Sequence, residues 1–379
     1  MESVLILGNG QAGIALAREI RKLDPRRPIT LLGRDAYGFN RSEFVQALGP
    51  SQKNLSTEDL LALGEQLRID MVPNCTAQSI RVADCSVQTD HGEYQADKLV
   101  LALGSSPMLP SFARDLPGLV AAVTHASVVN KLRARLASVK DLIIIGAGQS
   151  GCELANTLAD AGKNVTVIEQ HAGPLFELMP LDARRYLVEQ LEERGVKFHF
   201  NARCASASKE GHRAQLALTN GKHVEGDLVI ACIGVVPNTK LASDAGLKVR
   251  KGIMVDRKLA TSAPDVYALG DCAEINGVWL PYSQAIHHEV SALARVLTGQ
   301  NVQLNFPPMP LKLNIPCCPT VIAQPRPGLT GQWETLMVEH GLNASFISER
   351  GQLSGFVLMG EETAEAPFLQ DEIPNWMNL

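Results

Sequence analysis

Six glycines, in two groups of three, have the spacing that holds phosphate. Gly8, Gly10 and Gly13 lie in VLILGNGQAGIALA, residues 4–17, and Gly146, Gly148 and Gly151 lie in LIIIGAGQSGCELA, residues 142–155. Each group sits where an apolar strand gives way to an Ala/Leu-rich helix. A strand that stops at glycine and feeds into a helix gathers unpaired backbone N–H groups and the positive helix end at one point, where a pyrophosphate can sit. The first glycine makes the turn, the second lets the phosphate approach, and the third lets helix and strand pack closely. One G-x-G-x-x-G is weak evidence. Two in strand-loop-helix context, each followed by a second strand, point to two dinucleotides.

That second strand should end near a carboxylate that accepts from ribose hydroxyls. In the second copy NVTVIEQ supplies Glu169, which suits the free 2'-hydroxyl of NAD and repels the 2'-phosphate of NADP; no arginine follows it to reverse the preference. In the first copy PITLLGRDAY puts Gly33 at that position and the carboxylate two residues later. Asp35 is therefore the candidate there, and a solvated loop acid beside Arg34 is the alternative. Two further short strands, in YQADKLVLALGSSP (94–107) and TSAPDVYALGDCAE (261–274), end at Gly104 and Gly270. Asp271, just past the second of them, could hydrogen-bond a polyol such as the ribityl chain of a flavin; a turn or helix-cap role is the alternative. These signals point to FAD at the first loop.

The order GNGQAG, ALGSS, GAGQSGCE, ACIGVVPN, YALGDCAE resembles the FAD-dependent pyridine nucleotide oxidoreductases over almost the whole chain. The resemblance implies that Asp271 contacts the ribityl and phosphate region, and that Gly104, Gly234 and Gly270 join the loop glycines at the cofactors. It also implies that the first loop holds FAD while the second docks NADH. Disulfide reductases of this family carry C-x4-C on the helix after the first loop, whereas AGIALAREIRKL has no cysteine. Cys317 and Cys318 adjoin in a proline-flanked segment, and adjacent cysteines bridge poorly. The later run PPMPLKLNIPCCPTVIAQPRPGLTGQW, with GDCAEING and the length, resembles the rubredoxin reductases, including the flavorubredoxin reductase branch. That branch implies electron delivery from NADH, one at a time, to the iron of a small acidic rubredoxin. One segment departs from it: in GFNRSEFVQ, Phe39 and Arg41 fit, but Ser42 stands where proline is usual. The wider family places Glu153 near the flavin ring on the nicotinamide side. A pair of Arg41 with Glu153 is expected there, a solvated Arg41 being the alternative.

The elements needed to position these residues imply an α/β fold with two Rossmann-like nucleotide-binding domains and a small α+β C-terminal domain. The motif order makes the FAD domain discontinuous, at about 1–108 and 237–306, with the NAD(H) domain inserted at about 109–236. The first boundary falls in the proline-rich stretch SSPMLPSFARDLPG, and Pro307, Pro308 and Pro310 open the third unit, 307–379. Within that unit LKLNI, TVIA, ASFIS and LSGFVLMG read as strands before a helical tail. The family implies an interface domain packed against the flavin region.

At 379 residues the chain is too long for one ordinary core, and its net charge of -5 leaves no footprint for nucleic acid or a membrane surface. A strand that starts near Ser3 leaves no room for a signal peptide, and no apolar run approaches a membrane span, so a cytoplasmic protein is expected. The eight cysteines show no C-x-x-C and no Cys/His metal spacing, which suits reduced thiols and predicts no metal site. His287 and His288, neighbours on a helix, point to different faces and chelate poorly. The run KLRARLASVK is a solvated helix face or a docking patch for an acidic partner. The expected function is thus an NADH-dependent FAD reductase of rubredoxin or a similar small iron protein. Its rivals are a reductase serving an oxygenase ferredoxin, a flavorubredoxin or a quinone, and a redox-sensing protein that only binds NADH and FAD.

Overall fold

The structure is a computed structural model that describes residues 1–39, 43–50, 55–123, 126–326 and 328–375. Its first strand, Val4–Leu7, is buried along its whole length because it has a parallel partner on each side, Ile29–Leu32 and Lys98–Leu101. Interior strands of parallel sheets are covered on both faces, hence the unbroken apolar run VLIL. Asp70–Val72 extends the sheet beyond Ile29–Leu32, and Val266–Ala268 extends it beyond Lys98–Leu101.

A second five-stranded parallel sheet repeats this plan around the central strand Asp141–Ile145, with Asn164–Ile168 and Lys197–His199 on one side and Leu228–Ala231 and Val120–Ala121 on the other. Each domain also carries a three-stranded antiparallel sheet, from Ala77–Arg81 to Gly92–Gln95 in the first and from Cys204–Glu210 to His223–Gly226 in the second. The repetition of the glycine loops is therefore a repetition of whole domains. They differ in the source of one edge strand. In the first sheet Val266–Ala268 arrives only after the second sheet is complete, whereas in the second Val120–Ala121 precedes the central strand. Along the chain the second sheet thus falls between two strands of the first, and the two crossings run side by side as an antiparallel pair, Ser105–Pro107 with Val235–Pro237.

Helix Gln11–Leu23 buries Leu16, Ala17 and Ile20 and places Arg21 and Lys22 in its last turn, at the negative end of its dipole. It packs against the long helix Ser283–Leu297. His287 lies exposed on that helix, whereas His288 is half-buried with its ring edge-on to Phe306. Helix Ala126–Leu136 carries the first part of the basic run, KLRARL, and Arg135 is committed to the fold, donating to the carbonyls of Gly118 and Asp227. No described helix is long and apolar enough to cross a membrane.

The C-terminal unit is an antiparallel sheet ordered Leu311–Leu313, Thr320–Ala323, Leu353–Gly360, Gly341–Ser348, Gly331–Val338, followed by the helix Ala366–Glu372. Gly331–Val338 is an addition to the four runs legible in the sequence; as an edge strand it exposes Gln332, Glu334, Leu336 and Met337. Leu313, Ile315, Ile322, Val357 and Met359 of this unit share one hydrophobic cluster with Leu142, Ile144, Leu154 and Leu187 of the second domain. The C-terminal sheet is thus packed on the second nucleotide domain's core, a contact that the family resemblance, with its emphasis on the flavin region, did not imply.

Candidate active site: two glycine loops on one cleft

The two glycine loops have the same local geometry. Gly8 has φ +125, and a Cβ there would meet the carbonyl oxygen of Ala102 at 2.1 Å; Gly146 has φ +98, and its Cβ would meet that of Cys232 at 2.5 Å. In both loops the third glycine touches the first: a Cβ on Gly13 would lie 1.9 Å from the Gly8 oxygen, and one on Gly151 would lie 2.0 Å from the Gly146 oxygen. The middle glycines, Gly10 and Gly148, would leave an added Cβ with nothing within 4 Å, and they serve as the N-caps of helices Gln11–Leu23 and Gln149–Asp160 without a side-chain cap. Open space in front of uncapped helix N–H groups is what a pyrophosphate requires. Both loops border a single cleft of about 1050 Å³, also lined by Gly104, Glu153, Glu169, Gly234 and Asp271.

At the second loop Glu169 is buried and doubly engaged. One carboxylate oxygen accepts from the Ala147 N–H at 2.7 Å, the other from the His171 N–H at 2.9 Å. It therefore braces the loop as well as presenting negative charge to the cleft. The first loop achieves the same bracing with the parts exchanged. Gly33 occupies the place equivalent to Glu169, since its N–H continues the sheet to Val72 as that of Glu169 does to His199. The space a side chain would take at Gly33 is filled by Asn9, whose Cγ would be 2.0 Å from an added Cβ. Asn9, equivalent to Ala147, reaches the other way and donates to the Asp35 carbonyl at 2.6 Å. The Asp35 side chain is exposed at this end of the loop, two residues beyond Gly33.

Asp271 and Ser105, distant in sequence, meet: the Ser105 hydroxyl donates to the Asp271 carboxylate at 2.7 Å. Asp271 follows Gly270, which has φ +73 and sits so close to the first loop that a Cβ would be 3.0 Å from Ala12. The Trp279 indole N–H donates to the Asp271 carbonyl at 2.8 Å, fixing the turn from the far side. Behind the turn, Glu289 on helix Ser283–Leu297 accepts from the Gly270 N–H at 2.5 Å. Burial pushes its carboxyl up to about 7, opposed by that hydrogen bond and reinforced by the nearby Asp271 charge.

Glu153, one turn into helix Gln149–Asp160, is buried, and its burial raises its pKa above the usual carboxylate range against the pull of two donors. Those donors are the Asn314 backbone N–H at 3.0 Å and the Gln149 amide at 3.2 Å. Asn156 on the same helix accepts from the Cys317 N–H at 3.2 Å. Two polar groups of the second glycine helix thus hold the C-terminal unit. Arg41 and Ser42 lie outside the described residues.

Sequence reasoning passed over the aromatic end of the cleft. Phe176 lines it with the His171 ring stacked at 5.1 Å and the Arg184 guanidinium 4.5 Å from its ring centroid. Arg184 has two buried nitrogens without hydrogen-bond partners among the described residues, and Arg203 also lines the cleft. None of these residues belongs to a fixed-spacing motif; His171 and Phe176 follow Glu169 on the same loop, and the fold brings Arg184 and Arg203 to them. Cys317 and Cys318 lie away from the cleft lining, and burial pushes their thiols up to about 11 and about 12.

Known proteins agree with this arrangement. The family model of the pyridine nucleotide-disulphide oxidoreductases matches residues 2–294, and that of the rubredoxin binding C-terminal domain matches residues 303–373. The chain is 35% identical to a rubredoxin-NAD(+) reductase of Alcanivorax borkumensis, covering 99% of both. It is 36% identical to a nitric oxide reductase FlRd-NAD(+) reductase of Aeromonas salmonicida, over 98% of this chain and 96% of that one. Among solved structures, a ferredoxin reductase of Rhodopseudomonas palustris superposes with a TM-score of 0.89 at 23% identity, covering 99% of this chain and 96% of the other. The reductase of a covalent putidaredoxin reductase-putidaredoxin complex superposes equally well, with a TM-score of 0.89 at 20% identity over 98% and 94%. At those identities the likeness concerns the fold.

Proposed function

The chain belongs to the pyridine nucleotide-disulphide oxidoreductase family, and from that premise we propose that it is an NADH-dependent FAD reductase of the rubredoxin-NAD(+) reductase type. Its acceptor is rubredoxin or a similar small iron protein, taken at a chain end that matches the rubredoxin binding domain. The observation that carries this reading is the convergence of two uncapped glycine loops on one cleft whose lining does not include the Cys317–Cys318 pair. FAD, when bound, accepts a hydride from NADH and releases electrons singly.

The chain's own residues bind and orient. The N–H groups after Gly10 and Gly148 face the two pyrophosphates, and Asp35 takes the FAD ribose. Asp271, held by Ser105, takes the ribityl end. Glu169 accepts from the NADH ribose and disfavours a 2'-phosphate. Arg41 is assigned as the cation for Glu153, on the nicotinamide side. Residues 1–108 and 237–306 form the FAD domain, 109–236 the NADH domain and 307–379 the acceptor-facing unit. We place the protein in the cytoplasm, where its free thiols persist.

The test is stopped-flow reduction of rubredoxin at low and high ionic strength, with a ferredoxin and a quinone in parallel and NADPH as the rival donor. Rubredoxin should be reduced fastest, more slowly as salt rises, and NADH should outpace NADPH. Faster reduction of either rival acceptor, or rubredoxin reduction no faster than reoxidation by oxygen, would overturn the acceptor. A colourless protein that cannot be reconstituted with FAD would overturn the whole reading.

A further inference from the structure

At one end of the first domain's antiparallel sheet, just outside its strands, stand three ligating side chains that no part of the electron-transfer site uses. The Cys75 thiol, the Asp90 carboxylate and the His91 imidazole offer one ligand atom each, all within 4.8 Å of one another. We propose that they form a site for a borderline-soft divalent cation of the zinc class.

Backbone pairing brings the three together. The strand Ala77–Arg81 lies beside Ser86–Thr89, with Ala77 opposite Thr89, so the residues just outside that pair also face each other. The Asp90 N–H donates to the Thr76 carbonyl at 3.1 Å, and the Asp90 carboxylate accepts from the Thr76 N–H at 2.7 Å. The His91 N–H is held by the Thr89 hydroxyl at 3.0 Å, and the Cys75 N–H by the Gly33 carbonyl at 2.9 Å. Two ligands thus sit on one chain segment and the third on its neighbour, each fixed by its own backbone.

The thiol is the informative member. Cys75 is only 1% exposed, and its sulfur has no hydrogen-bond partner among the described residues, yet it lies beside the carboxylate and the imidazole. Asp90 and His91 are exposed, so an ion can enter from solvent and keep water on its open side. Sulfur and imidazole nitrogen select zinc-like ions over calcium or magnesium. A thiolate and a carboxylate neutralise a divalent charge, with the imidazole neutral. Around a tetrahedral zinc the ligand atoms stand roughly 3–4 Å apart, a spacing that atoms within 4.8 Å of one another reach by closing at most about 1–2 Å. No paired-ligand motif announces this site, because a lone cysteine followed fifteen residues later by an adjacent Asp-His lacks the close C-x-x-C or H-x3-H pairing of the common zinc motifs.

The FAD-loaded full chain, stripped of metal with a chelator, is titrated with zinc against a chromophoric indicator, and retained zinc is measured by elemental mass spectrometry after gel filtration. One zinc per chain is expected for the native protein and for Cys317→Ser. His91→Ala, at an exposed position, and Cys75→Ser should each bind at least about tenfold more weakly, with flavin content and circular dichroism confirming that both remain folded. Zinc should also protect Cys75 from alkylation, read by peptide mass spectrometry. Native protein that retains no zinc, or undiminished zinc in His91→Ala or Cys75→Ser, would overturn the site.

Discussion

Among single residues, the first glycine loop differs from the second by an exchange. Glu169 accepting from Ala147 and Asn9 donating to the Asp35 carbonyl both brace a glycine loop against the end of the second strand, one from the strand side and one from the loop side. A side chain on Gly33 and the side chain of Asn9 compete for one volume, with Cβ contacts of 2.0 Å to Cγ and 2.5 Å to Cβ of Asn9. Because the inner atoms of Asn9 are involved, rotation of its amide alone cannot relieve the clash. Gly33→Ala should therefore displace the loop and weaken FAD binding by on the order of tenfold, about 1.4 kcal/mol. Adding Asn9→Gly, which removes the Cβ together with the amide, should recover part of that loss, whereas Asn9→Ala, whose Cβ stays 2.5 Å from the new methyl, should not. Flavin released on dilution, followed by fluorescence, measures these variants; unchanged retention in Gly33→Ala would refute the steric coupling.

Elements set the environment of the Gly270–Asp271 turn. Helix Ser283–Leu297 presents Glu289, nearly without solvent, to the Gly270 N–H, while helix Gln11–Leu23 presses Ala12 against the same glycine. Burial raises the folded-state pKa of Glu289 from 4.5 to about 7. A raised carboxyl favours the protonated folded state, so the stability it confers is complete below the unfolded pKa and is lost as pH climbs through the folded one. Unfolding free energy should fall between about pH 4.5 and 7 by an amount on the order of a few kcal/mol, then level off. Glu289→Gln keeps an acceptor for Gly270 and removes the titration. Its urea midpoint, compared with the native protein's at pH 5 and pH 8, should be the less pH-dependent of the two; equal slopes would show that Glu289 does not titrate in this window.

For the whole molecule, the C-terminal sheet is tied to the second glycine helix by Glu153 with Asn314 and by Asn156 with Cys317, and it shares that domain's hydrophobic cluster. The unit assigned to meet the acceptor is thus joined to the unit assigned to receive NADH. Within this contact Cys317 contributes its backbone N–H, while its thiol and that of Cys318 are held protonated by burial. A thiol relay needs a thiolate, which neither supplies near neutral pH. The double variant Cys317→Ser with Cys318→Ser should keep flavin reduction by NADH and turnover of a one-electron acceptor within about twofold. Lost turnover with intact flavin reduction would restore the relay.

The sequence by itself determined what depends on neighbours along the chain. A glycine that must adopt positive φ, a third glycine that must admit a carbonyl, and a buried strand between parallel partners each impose local residue types, so the two strand-glycine-helix turns and the apolar strands that lead into them were legible from spacing. Motif order also carried the expectation that one nucleotide domain interrupts the other. Tertiary structure decided what depends on residues brought together across the fold. The pairing of Asp271 with Ser105, the exchange of Asn9 for an acid at Gly33, and the Phe176, Arg184 and His171 stack carry no fixed spacing. The same holds for the attachment of the C-terminal sheet to the second domain, because apolar strands such as TVIA satisfy their own sheet's periodicity whichever neighbour covers them. Their partner is chosen by shape and by two hydrogen bonds from one helix, quantities that exist only once the chain has folded.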